Sequence, residues 1–160
     1  PEPMAFNFGN KLMKVPSLDG EGKMSKSENQ LATIYLSDED ELIRKKIRKS
    51  KSDSGPTEKN SAKPDYIENL FLLMGLVSKE ETIKKFSDDF DNASIQYGKM
   101  KDQLADDMIQ FISPIREKVN AILKDEKYLK AVMEKGAEKA RISAKATMEL
   151  VREAMGLNYF

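Results

Sequence analysis

The sequence predicts a mainly α protein: a helical bundle preceded by an extended, loop-rich segment. Three observations carry this. From Ser37 onward, apolar residues recur at three- and four-residue spacing. Three of the six prolines (Pro1, Pro3, Pro16) and three of the eight glycines (Gly9, Gly20, Gly22) fall before Ser37. Charged residues make up 34% of the chain against 39% hydrophobic, a balance that suits helices with solvated outer faces. At 160 residues there is material for a real core.

Taken in order, residues 31–36 (LATIYL) are short and partly β-branched, so they are extended or form a single turn. Ser37 followed by Asp38, Glu39 and Asp40 is expected to cap a helix whose inner face is Leu42, Ile43 and Ile47. Residues 49–63 are polar, with Gly55-Pro56 marking a surface loop. Ile67, Leu70, Phe71 and Met74 form a helical stripe that Gly75 is expected to close. Ser78-Lys79-Glu80-Glu81 resembles a capping box opening a short helix with Ile83 and Phe86 inward. A long helical pattern runs from Tyr97 to Ile122, and Pro114 inside it predicts a kink or break near Ser113. Tyr128, Leu129, Val132 and Met133 mark a further helix, interrupted or capped at Gly136. The last stripe is Ala137, Ala140, Ala144, Met148, Val151 and Met155, ended by Gly156. All these stripes are expected to be core.

Composition removes several chemistries. Cysteine and histidine are both absent. Disulfides, thiolate nucleophiles, the usual zinc sites and any serine–histidine triad are therefore excluded. Carboxylates alone can in principle hydrolyse, but most acids here sit in first helical turns or mixed-charge runs, where dipole and solvation explain them. No apolar run approaches the ~20 residues that span a bilayer, and no charged-then-apolar leader opens the chain, so a cytoplasmic protein without membrane partners is expected. Net charge is zero, which gives no global pull toward nucleic acid. The opening Pro1-Glu2-Pro3, followed by Met4, Ala5, Phe6 and Phe8, suits either a domain cut from a longer polypeptide or a processed N-terminus.

One segment carries chemistry. Lys23-Met24-Ser25-Lys26-Ser27, preceded by Gly20 and Gly22, places two ammonium groups and two hydroxyls on a short loop. Such a loop can wrap a polyphosphate, with the lysines as point charges and hydroxyl and backbone N–H groups as donors. It also reads as a solvated turn in a lysine-rich protein. The residues alone leave both open.

The run is KMSKS letter for letter, the second signature of class I aminoacyl-tRNA synthetases, and its surroundings resemble the tryptophanyl-tRNA synthetase family over most of the chain. Lys11-Leu12-Met13 is similar to that family's basic–aliphatic–Met stretch. Residues 43–55 (IRKKIRKSKSDSG) resemble its basic helix and Asp-Ser element. Residues 63–70 (KPDYIENL) resemble its Lys-Pro segment leading into an Asn-Leu helix, and residues 136–140 with Ala154-Met155-Gly156-Leu157 look like its C-terminal helix. Two departures stand out. The family's first signature contains a histidine and has no counterpart here, and Glu28 stands where aspartate is common.

The resemblance implies a C-terminal fragment without the Rossmann catalytic half: residues 1–36 as the edge of the catalytic core with the KMSKS loop, and residues 37–160 as a helical anticodon-binding domain. It implies a tryptophan–tRNA ligase that uses ATP, with Mg2+ bound by the nucleotide, to charge tRNA(Trp). The intact enzyme would be a homodimer; the fragment alone would be inactive and compatible with a monomer. Lys23 and Lys26 would be catalytic. Leu12, Lys23, Met24, Ser25, Lys26 and Ser27 would bind the nucleotide. Arg44, Lys45, Arg48 and Lys49 would meet tRNA phosphates, although dipole complementarity at a basic helix end and solvation explain them equally well. A tyrosyl-tRNA synthetase fragment and a non-catalytic helical RNA-binding module with a chance KMSKS are the competing readings.

Overall fold

The structure, a computed structural model, describes residues 14–27 and 29–157. The expectations for residues 1–13, Leu12 among them, and for Glu28 lie outside those described. Among the described residues five α-helices follow one another: α1 (Asp40–Arg48), α2 (Asp65–Val77), α3 (Glu80–Asp91), α4 (Tyr97–Lys124) and α5 (Glu126–Ala154). Among the described residues there is no strand, only an isolated antiparallel bridge between Pro16 and Lys23. The mainly α reading is right. Residues 30–32 form one 3-10 turn, opened by the Asn29 side chain accepting from Leu31 N–H, and Thr33 beyond it is extended.

The chain divides into two compact units between Ile115 and Arg116. The core lies in the first. Ile43 and Ile47 of α1, Ile67, Leu70, Leu73 and Met74 of α2, Phe86 and Phe90 of α3, and Met100, Leu104, Ala105, Met108 and Ile112 of α4 are buried together. Leu18 and Ala32 from the loop-rich segment join the same cluster, so that segment is part of the core. Polar contacts fix how α1 meets α4. Arg44 pairs with Asp106 at 2.5 Å and Arg48 with Asp102 at 2.8 Å. The buried Lys101 ammonium donates to the Ser50 carbonyl at 2.7 Å and the Ser52 hydroxyl at 2.8 Å, just beyond the α1 C-terminus.

Several expected boundaries move. Ser37 does not cap α1: the cap position is Glu39, and the Asp38 carboxylate is held instead by Tyr35 N–H and Lys46. Leu42 faces outward, more than a third exposed. Gly75 does not end α2, which runs on to Val77 and closes where Ser78 N–H donates to the Met74 carbonyl. With Ser78 used there, Lys79 is the cap of α3, and no capping box forms. Neither Pro114 nor Gly136 breaks its helix. The stripe from Ala137 to Met155 is not core, since no residue of α5 is buried.

Candidate active-site loop

Residues 23–27 are fastened along one side by backbone and along the other by side chains. Met24 N–H donates to the Val15 carbonyl at 2.9 Å, next to the Pro16–Lys23 bridge. Opposite, the Thr33 hydroxyl meets Ser25 twice, accepting from its N–H at 3.3 Å and donating to its carbonyl at 3.2 Å. Met24 packs half-buried against the core, and its Sδ accepts from Ile34 N–H at 3.5 Å.

The base of the loop needs glycine for two reasons. Gly20 has φ +86°, and a Cβ there would lie 2.7 Å from Tyr66 Cβ on α2. The loop backbone approaches α2 too closely for any side chain. Gly22 has φ +67° with open space around it, so only its backbone conformation asks for glycine. Asn69 of α2 donates to the Gly20 carbonyl at 3.4 Å, and Lys51 N–H donates to the Leu18 carbonyl at 3.1 Å.

Lys23 and Lys26 are exposed. Ser25 and Ser27 share a hydroxyl–hydroxyl contact of 3.1 Å, and Ser27 N–H points to the Ser25 hydroxyl at 3.4 Å. The loop thus offers two ammonium groups and two hydroxyls over a tethered backbone, the donor set a polyphosphate requires. Of the four basic residues of and just after α1 singled out in the sequence, Arg44 and Arg48 are engaged with α4 aspartates, while Lys45 and Lys49 stand exposed.

Behind the loop lies a group that the charge pattern hides. Lys46, 4% exposed, donates to the Asp38 carboxylate at 2.6 Å and to the Thr33 carbonyl at 2.8 Å, with its ammonium 4.7 Å from the centre of the Tyr35 ring. The signal was available: Lys46 follows Ile43 by three residues and precedes Ile47 by one, so it sits on the inner face of α1. Past α1, Asp53 accepts from Gly55 N–H and the Tyr66 hydroxyl. Burial works to raise its pKa, but those donors outweigh it and hold the carboxyl below its usual range. Burial, reinforced by the Asp53 charge, pushes the Tyr97 phenol well up.

The family model for class I tRNA synthetases of the tryptophan and tyrosine (W and Y) group matches residues 4–113, a span that includes residues 23–27 and α1 to α3. The chain belongs to that family. Within it the likeness is to tryptophan–tRNA ligases. That of Porphyromonas gingivalis is 46% identical over 156 residues, covering 98% of this chain and 47% of the relative. That of Helicobacter pylori strain 26695 is 38% identical over 158 residues, covering 98% of this chain and 46% of the relative. Among solved structures, tryptophanyl-tRNA synthetase from Campylobacter jejuni complexed with ADP and tryptophan superposes with TM-score 0.73 at 28% identity, over 93% of this chain and 45% of that one. Tyrosyl-tRNA synthetase from Aeropyrum pernix, with TM-score 0.52 and 22% identity over 76% of this chain and 37% of that one, shares the fold alone. The chain spans about half the length of the curated relatives it matches. The reading as an RNA-binding module with a chance KMSKS gives way to family membership. No helix among the described residues is long and apolar enough to cross a membrane.

Proposed function

We propose that the chain is the part of a tryptophan–tRNA ligase that grips the phosphates of ATP through residues 23–27 and meets tRNA(Trp) through its helices. In this reading residues 1–36 are the edge of the catalytic core and residues 37–160 the anticodon-binding domain. The observation that carries it is the tethered loop with both lysines exposed. ATP, with Mg2+ on its phosphate oxygens, supplies the α-phosphorus that the tryptophan carboxylate attacks as pyrophosphate leaves. Displacement of this kind depends on positioning and charge neutralisation more than on covalent help. Lys23 and Lys26 meet the β- and γ-phosphates and the charge that builds on the leaving pyrophosphate. Ser25 and Ser27 hold the loop's shape and donate, and Met24 anchors it. Leu12 contributes backbone groups toward adenine. The intact enzyme is a homodimer.

The test is single-turnover adenylate formation in the full-length polypeptide. Lys26→Ala lowers the rate by ~10²–10³-fold. Adenylate formed at the wild-type rate in that variant removes the reading. For the RNA side, Lys45 and Lys49 are the freer phosphate contacts, because Arg44 and Arg48 must first leave Asp106 and Asp102. Replacing either lysine with alanine lowers the salt slope of tRNA binding by about 1, measured by filter binding at two salt concentrations. An unchanged slope assigns these residues to solvation.

A further inference from the structure

The buried ion pair behind the loop does nothing for phosphate binding directly, since Lys46 is 4% and Asp38 7% exposed. Its hydrogen bonds nonetheless lead to the loop. Lys46 Nζ donates to the Thr33 carbonyl at 2.8 Å, and the hydroxyl of the same residue pairs with both backbone groups of Ser25, the middle residue of KMSKS. Asp38 holds Lys46 at 2.6 Å and accepts from Tyr35 N–H at 2.9 Å, so residues 33–35 are gripped from within at two points. Among the described residues, the link from residues 23–27 to residues 33–35 passes through the Thr33 hydroxyl and the Met24 sulfur. A hydroxyl can hold a backbone in register only if its own main chain is fixed, and here the fixing group is an ammonium from α1.

We propose that Lys46, through Thr33, is a positioning residue that sets where the KMSKS ammonium groups stand for ATP. The proposal rests on the phosphate-gripping role of residues 23–27. A buried ion pair is weak evidence of stabilisation, because taking both charges out of water offsets most of their attraction. Placement of an adjacent loop gives such a pair a use that stability does not. The donor pattern also separates the two residues' work: the Thr33 hydroxyl meets the loop, while the Lys46 ammonium donates to the Thr33 carbonyl and the Asp38 carboxylate beside the Tyr35 ring.

The experiment is steady-state pyrophosphate exchange in the full-length polypeptide, comparing Thr33→Val, Lys46→Met and Lys26→Ala singly and in pairs. Thr33→Val keeps the side-chain shape and removes only the hydroxyl, so it carries the test if Lys46→Met does not fold. Expected are a rise of about ten- to a hundredfold in KM for ATP in each of Thr33→Val and Lys46→Met, and an unchanged KM for tryptophan. The Thr33→Val/Lys46→Met pair should be no worse than the poorer single variant. Either change made on top of Lys26→Ala should add little, because both act through the placement of that lysine. Lys46→Arg should recover part of the loss. An unchanged KM for ATP in folded Thr33→Val overturns the proposal, and so do effects that multiply fully with Lys26→Ala. If Lys26→Ala is itself at the wild-type rate, the phosphate-gripping role fails first.

Discussion

A methyl group on Gly20 would have to occupy space already taken by Tyr66 Cβ, 2.7 Å away, in a backbone conformation at φ +86° that side chains resist. Gly20→Ala is therefore expected to lift the loop base from α2 and destabilise the protein by ~1–3 kcal/mol, read as a lower urea midpoint. Lys101 makes a second residue-scale prediction. Burial lowers its pKa below the usual 10.5, so the unfolded chain holds this proton more tightly than the folded one. Stability then rises with pH across the interval from the lowered folded value to 10.5, and Lys101→Met removes that part of the slope. The same variant leaves the Ser50 carbonyl without this donor and loses ~1–3 kcal/mol at neutral pH, measurable by urea titration. The motif residues stood out because five letters in a row match the class I signature, whereas their residue types alone left phosphate binding and a solvated turn both open. Lys46 and Lys101 did not, because each sits in a charged run and sign alone does not say which cation turns inward. Their register does: Lys101 follows Tyr97 by four residues and precedes Leu104 by three, on the buried face of α4.

Helix existence followed from the periodic stripes, and helix ends did not. Ser37 and Ser78 each precede acids in the pattern of an N-cap, yet α1 starts at Asp40 and α3 at Glu80. In both places a tertiary or neighbouring demand decides. The Asp38 carboxylate is committed to Tyr35 and Lys46, and Ser78 N–H closes α2. Gly136 inside α5 carries a propensity penalty of only ~1 kcal/mol, too little to end a helix of 29 residues. Pro114 is the stronger fault, because it brings no N–H to the Gln110 carbonyl and its ring crowds that turn. Pro114→Ala is expected to gain ~1–3 kcal/mol and to slow amide exchange over the neighbouring turns of α4. Exchange at the wild-type rate there would mean the helix already accommodates the ring without loss.

At the scale of the whole molecule, the chain carries one side of the proposed reaction. Two lysines proposed to bind phosphate, without an opposing wall, do not assemble a transition-state site. This chain alone is expected to show no pyrophosphate exchange, and turnover above a no-protein blank would contradict that expectation. The sequence led to the family through KMSKS and its flanks, but it could not show that residues 14–36 share a core with α1, α2 and α4. That sharing runs through Leu18 and Ala32, two small contributions with no periodicity around them.

The division between Ile115 and Arg116 has a thermal consequence. The first unit is sealed by interlocking side chains, whereas α5 has none inside, so its 29 residues hold together mainly by their own hydrogen bonds. Helices sustained that way fray gradually with warming, while packed cores give way all at once. Ellipticity at 222 nm should drift downward over tens of degrees before a steep fall, and tyrosine fluorescence of a Tyr128→Phe, Tyr159→Phe variant, left with Tyr35, Tyr66 and Tyr97, should register only the fall.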